Sequence, residues 1–262
     1  MPIQSVSFDR AAGFYDDSRG LPAEVSAQVG RCAADLVGAG GSVLEIGIGT
    51  GRIAKPLMAH GLHLSGIDLS RAMMNRLLES LPECGPVPHL AQADATAIPL
   101  CSGLFDAVVA VHVFHLIHDW HAALAEVQRV LKPAGCVLIG HNATPDDSPY
   151  RRIRNQWEAF VEARGTSMDH PAASQVDYIK TALIEAGLRR TEVVAAKWST
   201  RHTVRRVIDD IENRIWSQTW QVPEALIPPT VAELRLWALG EFGSLDYEYE
   251  LANTFVWEQY SH

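Results

Sequence analysis

The sequence predicts an α/β fold: a Rossmann-like, mostly parallel seven-stranded sheet with helices on both faces and an added helical cap. Three observations predict it. Short apolar runs alternate with helical patterns from about residue 24 to residue 143, which is typical of a parallel sheet whose crossovers are helices. The run 105–114 is almost continuously apolar, as expected for a strand buried on both faces. After residue 144 the alternation stops, which indicates segments added to the sheet.

The predicted elements follow in order along the chain. Strands are predicted over 42–46, 62–67, 89–93, 105–114, 136–139, 190–199 and 247–257. Helices are predicted over 23–37, from the glycine-rich turn to 60, through 73–77, and over 120–131, 150–164, 174–186, 204–216 and 231–239. Asp119 is a suitable N-cap for the helix after it, and residues 132–135 form a turn. The last two helices are separated by Pro223, Pro228 and Pro229.

These elements divide the chain into four parts. Residues 1–40 are predicted to be an N-terminal helical segment, and 41–144 the core of the sheet. Residues 145–172 and 200–245 form the helical cap, and 173–199 with 246–262 complete the sheet.

Composition limits the classes of partner and location. The 262 residues are 47% hydrophobic, enough for one large α/β domain. A net charge of −9 disfavours nucleic acid, because a duplex-binding surface is normally basic. The first residues lack a signal-peptide pattern, no run of about 18 apolar residues occurs, and the four cysteines form no C-x-x-C pair. We therefore expect a cytoplasmic monomer or homodimer with no membrane contact, whose cysteines are reduced, mostly buried thiols.

The most informative motif is a glycine-rich turn. An apolar strand leads into Gly47, Gly49 and Gly51, and a helix follows. Glycines permit a tight turn and close approach to a ligand, and the helix start offers free N–H groups. A dinucleotide fingerprint would place its third glycine where Arg52 stands. The spacing, with Glu45 two residues before the first glycine, therefore opposes a nicotinamide oxidoreductase.

Two aspartates follow the next two strands. Asp68 stands at the end of the second strand, where a carboxylate can accept both hydroxyls of a ribose. Asp94, followed by Ala95, comes after the third strand. Each aspartate also has a structural alternative, Asp68 as a helix N-cap and Asp94 as a solvated loop residue.

Residues 40–140 closely resemble the class I S-adenosylmethionine (SAM) methyltransferases, in particular the ubiquinone/menaquinone biosynthesis group. The resemblance rests on the glycine turn, on the two aspartates and on the Leu131-Lys132-Pro133-Ala134-Gly135 loop, and a weaker match covers residues 14–19. It implies SAM as cofactor and no metal. The residues it implies for the cofactor are Tyr15, Arg19, Glu45, Gly47, Gly49, Gly51, Asp68, Leu69, Asp94, Ala95 and Val111.

The resemblance further implies in-line methyl transfer to a small-molecule acceptor. Whether oxygen, carbon or sulfur is methylated stays open. Two alternatives remain, a non-catalytic SAM-binding regulatory protein and an enzyme that uses SAM for a transfer other than methyl. Amine-methylating enzymes of nucleobases and glutamine carry an Asn/Asp-Pro-Pro-Tyr/Phe motif after the fourth strand. This chain has Ala110-Val111-His112-Val113 there, which disfavours that chemistry.

Four histidines recur at every third position, His112, His115, His118 and His121. A metal site is disfavoured because a strand end, a turn and a helix start do not place them on one face. In the family, the end of the fourth strand faces the transferred methyl group. His112 and His115 are therefore predicted as catalytic bases that take a proton from the acceptor, or as groups that pack against the cofactor.

The predicted cap is rich in aromatic and basic residues. Six of the seven tryptophans follow residue 140: Trp157, Trp198, Trp216, Trp220, Trp237 and Trp257. The same region carries Arg151, Arg152, Arg154, Arg189, Arg190, Arg201, Arg205 and Arg206. These residues either line an acceptor pocket under the cap or form its core and its solvated face.

Overall fold

The structure, a computed structural model, describes residues 20–168 and 171–262. Its seven strands form one sheet in the order β3-β2-β1-β4-β5-β7-β6. They are β1 Ser42–Ile46, β2 His63–Asp68, β3 His89–Gln92, β4 Phe105–Val111, β5 Leu131–Ala143, β6 Arg189–Thr203 and β7 Glu248–Ser261. The helices are α1 Ala23–Val37, α2 Ala54–Ala59, α3 Arg71–Glu79, α4 Trp120–Val130, α5 Pro149–Glu162, α6 Pro171–Glu185, α7 Val204–Glu212, α8 Ser217–Trp220 and α9 Ile227–Phe242. The predicted fold class is confirmed.

Parallel pairing places the ends of five strands at one edge of the sheet. β1 pairs with β2 and with β4, β2 pairs with β3, and β4 pairs with β5, all in parallel. The chain adds strands on one side of β1 and then continues at β4 on its other side. In open α/β sheets ligands bind outside the carboxyl ends of the strands at this change of direction. The carboxyl ends of β1 and β4 are therefore the place to look for a site.

The described residues divide into two compact units. The first comprises 20–141, 171–196 and 255–262, and its core contains Leu44, Val108, Val137, Ile179 and Tyr260. The second comprises 142–168 and 197–254, and its core contains Ile153, Trp157, Ile208, Leu234 and Leu251. Each unit therefore has a hydrophobic core of its own, as an independently folding domain does.

Side-chain caps set the starts of several helices. Asp119 accepts from the Ala122 N–H at 3.0 Å, so the predicted cap of α4 is confirmed. Ser148 and Thr203 cap α5 and α7 in the same way. The expected start of the last helix at residue 231 is wrong. α9 begins at Ile227 because Pro228 and Pro229 lie in its first turn, where no intrahelical N–H bond is lost.

Two further sequence expectations need correction. The helix from residue 204 ends at Glu212 and not at 216, because Arg214 has a left-handed φ of 54° and its guanidinium bonds the carbonyls of 219, 220 and 222. Residues 132–135 are a bulge within β5, since Phe105 pairs with Leu131 and Ala107 with Cys136.

The four cysteines are free, but the expectation that they are mostly buried is wrong. Cys84 and Cys101 are exposed and Cys32 is half-buried, whereas Cys136 is buried. Within the described residues, no helix combines the length and apolar character that a membrane crossing requires.

Candidate functional site

The glycine turn joins the end of β1 to α2. Gly47, Gly49 and Gly51 have φ values of 70°, 54° and 76°, the left-handed region that favours glycine. A Cβ at Gly47 would lie 2.7 Å from Cγ2 of Val113, the second residue after β4. The turn therefore packs directly against the segment that leaves β4, and a side chain at Gly47 would separate them.

Asp68 ties this turn to the end of β2. Its Oδ2 accepts from the Gly49 N–H at 2.9 Å, and its Oδ1 accepts from the Ser70 N–H at 2.8 Å. Ser70 is the N-cap of α3, since its hydroxyl accepts from the Met73 N–H. Asp68 is therefore not the helix cap.

Glu45 is a buried carboxyl group within β1, just before the turn. It is 3% exposed, and its Oε2 has no hydrogen-bond partner within the described residues. Burial raises the pKa of Glu45 well above its usual value, and the nearby Asp68 adds to the rise. Arg52 and the Ala54 N–H oppose the rise. A buried carboxylate oxygen without a donor is unfavourable, so this position suits a ligand that brings a cation or an N–H group.

Asp94 lies in the turn after β3. Its Oδ1 accepts from both the backbone N–H and the hydroxyl of Thr96, each at 2.9 Å. Its Oδ2 has no hydrogen bond to the described part of the chain, so this oxygen can accept from a ligand. Ala95 beside it is buried in the core of the first unit.

The fourth position is the end of β4. Val111 is the last residue of the strand, and His112 directly after it has a φ of 52°. A left-handed φ is rare for a residue with a side chain and costs free energy, and such residues cluster at functional sites. His115 lies in the single helical turn Phe114–Leu116. His112 thus reaches the site edge, and His115 follows it in the next turn.

The structure brings most of the predicted residues to one place. Glu45, the three glycines, Asp68, Asp94, Val111 and His112 all lie at or beside the carboxyl ends of β1 to β4, and Leu69 directly follows β2. Tyr15 and Arg19 lie outside the described residues. Within residues 20–168 and 171–262, no group of three metal-ligating side chains is found.

The chain matches a family model and several known proteins. Residues 44–139 match the family model described as a methyltransferase domain. A phosphatidylethanolamine N-methyltransferase of Cereibacter sphaeroides is 33% identical over 167 residues, which are 63% of this chain and 80% of that protein. The chain is a class I SAM-dependent methyltransferase. Its cofactor is therefore SAM, and the family resemblance of residues 40–140 is confirmed.

Other relatives of this methyltransferase are named for a menaquinone precursor or for O-methylation. A demethylmenaquinone methyltransferase of Renibacterium salmoninarum is 30% identical over 147 residues, 55% of this chain and 60% of that protein. An O-methyltransferase of Pyrenophora dematioidea is 28% identical over 159 residues, 59% of this chain and 57% of that protein. The alignments thus span less than two thirds of these two relatives.

Solved structures agree with the fold. The YcgJ protein of Bacillus subtilis matches with a TM-score of 0.56 at 17% identity, over 90% of this chain and 98% of that chain. A Haemonchus contortus phosphoethanolamine methyltransferase, solved with S-adenosylhomocysteine (SAH), matches with a TM-score of 0.53 at 17% identity. That match covers 97% of this chain and 57% of the other. Identities this low support the fold alone.

The second unit of the methyltransferase contains an aromatic cluster, defined by Tyr150, Arg154, His202, Trp216 and Tyr249. The rings of Tyr150 and Tyr249 lie 6.3 and 6.0 Å from the His202 ring, between centroids. The Arg154 guanidinium carbon lies 4.8 Å from the centroid of Trp216 and 5.4 Å from that of Tyr150.

The Tyr249 hydroxyl of the aromatic cluster is left for a ligand. The Tyr249 side chain is buried, and its hydroxyl has no hydrogen-bond partner among the described residues. Burial also lowers the pKa of His202, as does the nearby Arg206, so the imidazole is neutral near pH 7. The aromatic cluster can therefore offer hydrogen bonds beside apolar surface.

For other tryptophans and arginines of this region, the structure supports the alternative that they form a core and a solvated face. Trp157 is fully enclosed in the core of the second unit and donates to the Thr230 hydroxyl at 3.1 Å. Trp257 belongs to the first unit and donates to the Val29 carbonyl. Four of the eight arginines form ion pairs: Arg152 with Glu241, Arg205 with Asp246, Arg206 with Asp210, and Arg190 with Glu192 and Glu258.

Sequence reasoning missed one group of the first unit. His141 on β5 lies 3.5 Å from Glu258 on β7, measured from Nδ1 to Oε1. The two residues are 117 positions apart in the chain, and neither belongs to a motif. Only the order of the strands brings them together.

Proposed function

We propose that this methyltransferase methylates a small molecule and that its second unit selects that molecule. The observation that carries the proposal is the aromatic cluster, because it places a buried, unpartnered tyrosine hydroxyl among apolar rings. Small-molecule sites are built in this way, from apolar walls with a few placed polar groups. The cluster lies outside residues 44–139, which match the family, so it belongs to the part of the chain where acceptor specificity is expected to vary.

The cofactor residues take their proposed roles from the geometry of the carboxyl edge. Glu45 Oε2 receives the α-ammonium group of SAM, which supplies the donor that this buried oxygen lacks. Asp68 holds the ribose hydroxyls and keeps the glycine turn in place through the Gly49 N–H. Asp94 Oδ2 and the Ala95 N–H hold the adenine ring, and Leu69 and Val111 pack against the cofactor. Tyr15 and Arg19 are proposed to close over it.

The chemistry requires little of the protein beyond positioning. Bound SAM supplies a sulfonium methyl group, whose transfer has a good leaving group. The protein must hold the acceptor in line with that methyl group and exclude water, and both contributions are large. His112 and His115 are proposed as bases for an acceptor that must lose a proton.

The acceptor class is proposed from chemistry and from the relatives together. The relatives named above act on an ethanolamine lipid and on a menaquinone precursor, which are compounds of low molecular mass. Reduced cysteines and a net charge of −9 support a cytoplasmic protein without a nucleic acid partner. The family match does not favour the alternatives of a regulatory SAM-binding module or of a transfer other than methyl.

The test is transfer of a labelled methyl group from SAM into fractions of a cell extract. The fractions are small molecules, protein and nucleic acid, and purified phenols, hydroquinones and phosphoethanolamine are assayed beside them. We expect label in the small-molecule fraction with wild type and little with Asp68→Ala. Label recovered only in protein or nucleic acid would contradict the proposed acceptor class. Release of SAH without any methylated product would support the alternatives.

A further inference from the structure

A fully buried carboxylate in the first unit holds an ionic cluster that the proposed function does not use. Glu258 is 0% exposed, and its Oε1 accepts from the Lys180 ammonium at 2.7 Å. Its Oε2 accepts from the Arg190 guanidinium at 2.8 Å and from the Tyr260 hydroxyl at 2.7 Å. Burial alone would raise the pKa of Glu258, but these three hydrogen bonds lower it below its usual value. Glu258 is therefore an anion at neutral pH.

His141 stands beside this anion at the active edge of the sheet. It directly follows Gly140, which pairs with Val111. The register of β4 with β5 ends at this pair, so His141 lies one residue beyond the end of β4, at the carboxyl edge of the sheet. A Cβ at Gly140 would face Trp257 and Phe255, so the alternation of the strand directs His141 to the opposite face, where Glu258 lies.

The contact between the two residues sets the state of the imidazole. The 3.5 Å between Nδ1 and Oε1 is within ion-pair range but beyond good hydrogen-bond geometry, and the buried Nδ1 has no hydrogen-bond partner in the described ranges. A carboxylate can only accept, so it favours the tautomer with the proton on Nδ1. Nε2 is then the basic nitrogen of a side chain that remains 35% exposed.

Opposing charges tune this imidazole. Burial lowers the pKa of His141, while the nearest carboxylate, Glu258, raises it. Charged and titratable groups face it from three elements: Glu258 and Tyr260 on β7, Lys180 on α6, and Arg190 and Glu192 on β6. The net result is a pKa below the usual histidine value, so the imidazole is neutral and able to accept a proton near pH 7.

We propose that His141, oriented by Glu258, is a further base beside His112 and His115, and that it removes the proton from a hydroxyl group of the acceptor. This inference rests on the proposed function. The acceptor O–H proton passes to Nε2 of His141, and its bonding electron pair stays on the oxygen. That oxygen forms the new bond to the methyl carbon as the carbon–sulfur bond breaks, and the electron pair of that bond remains on sulfur. Glu258 is a positioning residue that stabilises the imidazolium.

A hydroxyl acceptor fits this device better than other nucleophiles. A phenol has a pKa near 10 and is mostly un-ionised at neutral pH, so a base raises its reactivity. A thiol is partly ionised at the same pH, and an amine attacks through its neutral form. A base at His141 is therefore expected to matter for hydroxyl acceptors and little for thiols.

The first arm of the test uses the protein without an acceptor. The pKa of His141 is measured by NMR in wild type, in Glu258→Gln and in Lys180→Met, with His60→Gln to assist assignment and serve as a matched half-buried control. Removing Glu258 should move the pKa down by about one unit, and removing Lys180 should move it up by about one unit. Opposite shifts support the dyad, whereas equal titration in all three proteins overturns it. If Glu258→Gln does not fold, the pKa of His141 in Lys180→Met still tests the proposal.

The second arm follows turnover against pH with phenols and thiophenols of graded pKa. His141→Gln should lower kcat about 100-fold for phenol and far less for a thiophenol, while His60→Gln changes neither. The acid limb of the pH–rate profile should move to lower pH in Glu258→Gln and to higher pH in Lys180→Met. A uniform loss across the acceptors, or an acid limb that does not follow the pKa of His141, would overturn the base role.

SAH binding tests the proposed function separately from the base role of His141. A melting shift with SAH should be equal in wild type and His141→Gln. If SAH does not raise the melting temperature of wild type, the result counts against the proposed function and not against the pairing of His141 with Glu258.

Discussion

Glu45→Gln should make the protein more stable and a poorer cofactor binder at the same time. Glu45 is almost fully buried, and one of its oxygens has no partner in the described part of the chain. In the free protein this oxygen is unfavourable, because it is desolvated without a hydrogen bond. In the complex the same oxygen is proposed to accept from the ammonium group of SAM. A neutral amide removes the buried charge in the first state and the charge-assisted hydrogen bond in the second.

The magnitudes follow from these two states. An unsatisfied buried polar group costs about 1–3 kcal/mol, and about 1 kcal/mol moves the melting temperature of a protein of this size by about 2–4 °C. We therefore expect a rise of a few degrees without ligand. A hydrogen bond to a charged group contributes about 1.5–3 kcal/mol, so SAH affinity should fall roughly 10- to 100-fold.

The pH dependence has a definite sign. Burial raises the pKa of Glu45 in the folded state above its unfolded value, so the folded protein binds more protons in the interval between the two. The stability of wild type should therefore fall as the pH rises from about 4.5 through the raised pKa. The Glu45→Gln variant should lack this part of the slope.

Melting curves between about pH 4 and pH 8 and calorimetry with SAH measure both effects. Glu79→Gln, at an exposed glutamate on α3, is the control for loss of one negative charge. A variant that is less stable than wild type and binds SAH normally would refute the reasoning. Glu45 would then be a structural residue of β1 that needs its charge.

Three further predictions concern other residues. Asp68→Ala should weaken SAH binding by about 2–3 kcal/mol in calorimetry, and an unchanged affinity would restrict Asp68 to its bond with the Gly49 N–H. Trp157→Ala should lower the unfolding free energy by about 3–5 kcal/mol in urea, whereas Trp216→Ala should cost far less and change KM for the acceptor; equal losses of stability would contradict this division. Hydrogen bonds from Lys132 and Ser42 lower the pKa of Asp106 to about 2, so its contribution to stability is present above about pH 4 and lost as the pH falls through about 2. Asp106→Asn should remove this pH dependence, which amounts to at most about 1 kcal/mol because the ion pair of Asp106 with Lys132 is more than one third exposed. An unfolding free energy that changes equally with pH in wild type and in the variant would contradict this prediction.

Local signals in the sequence were sufficient to predict the strands of the sheet and the residues at the carboxyl ends of β1 to β4. Glycines at 47, 49 and 51 are required by their left-handed backbone, and the strand ends that carry Asp68 and Asp94 follow from the alternation of strand and helix. These features lie within a few residues of one another, so a pattern in the chain can indicate them.

Features that depend on distant contacts could not be predicted in this way. Glu258 meets Lys180 and His141 only because β7 inserts between β5 and β6. Trp157 and Trp216 look alike in the sequence, yet one is core and the other stacks with Arg154. The bulge at residues 132–135 likewise depends on how β5 pairs with β4.

A crystal structure of the SAH complex tests the central claim most directly. We expect the α-amino nitrogen of SAH within hydrogen-bond distance of Glu45 Oε2, the ribose hydroxyls on Asp68 and the adenine amino group on Asp94 Oδ2. SAH bound elsewhere, or bound at the glycine turn with Glu45 Oε2 still lacking a donor, would contradict it.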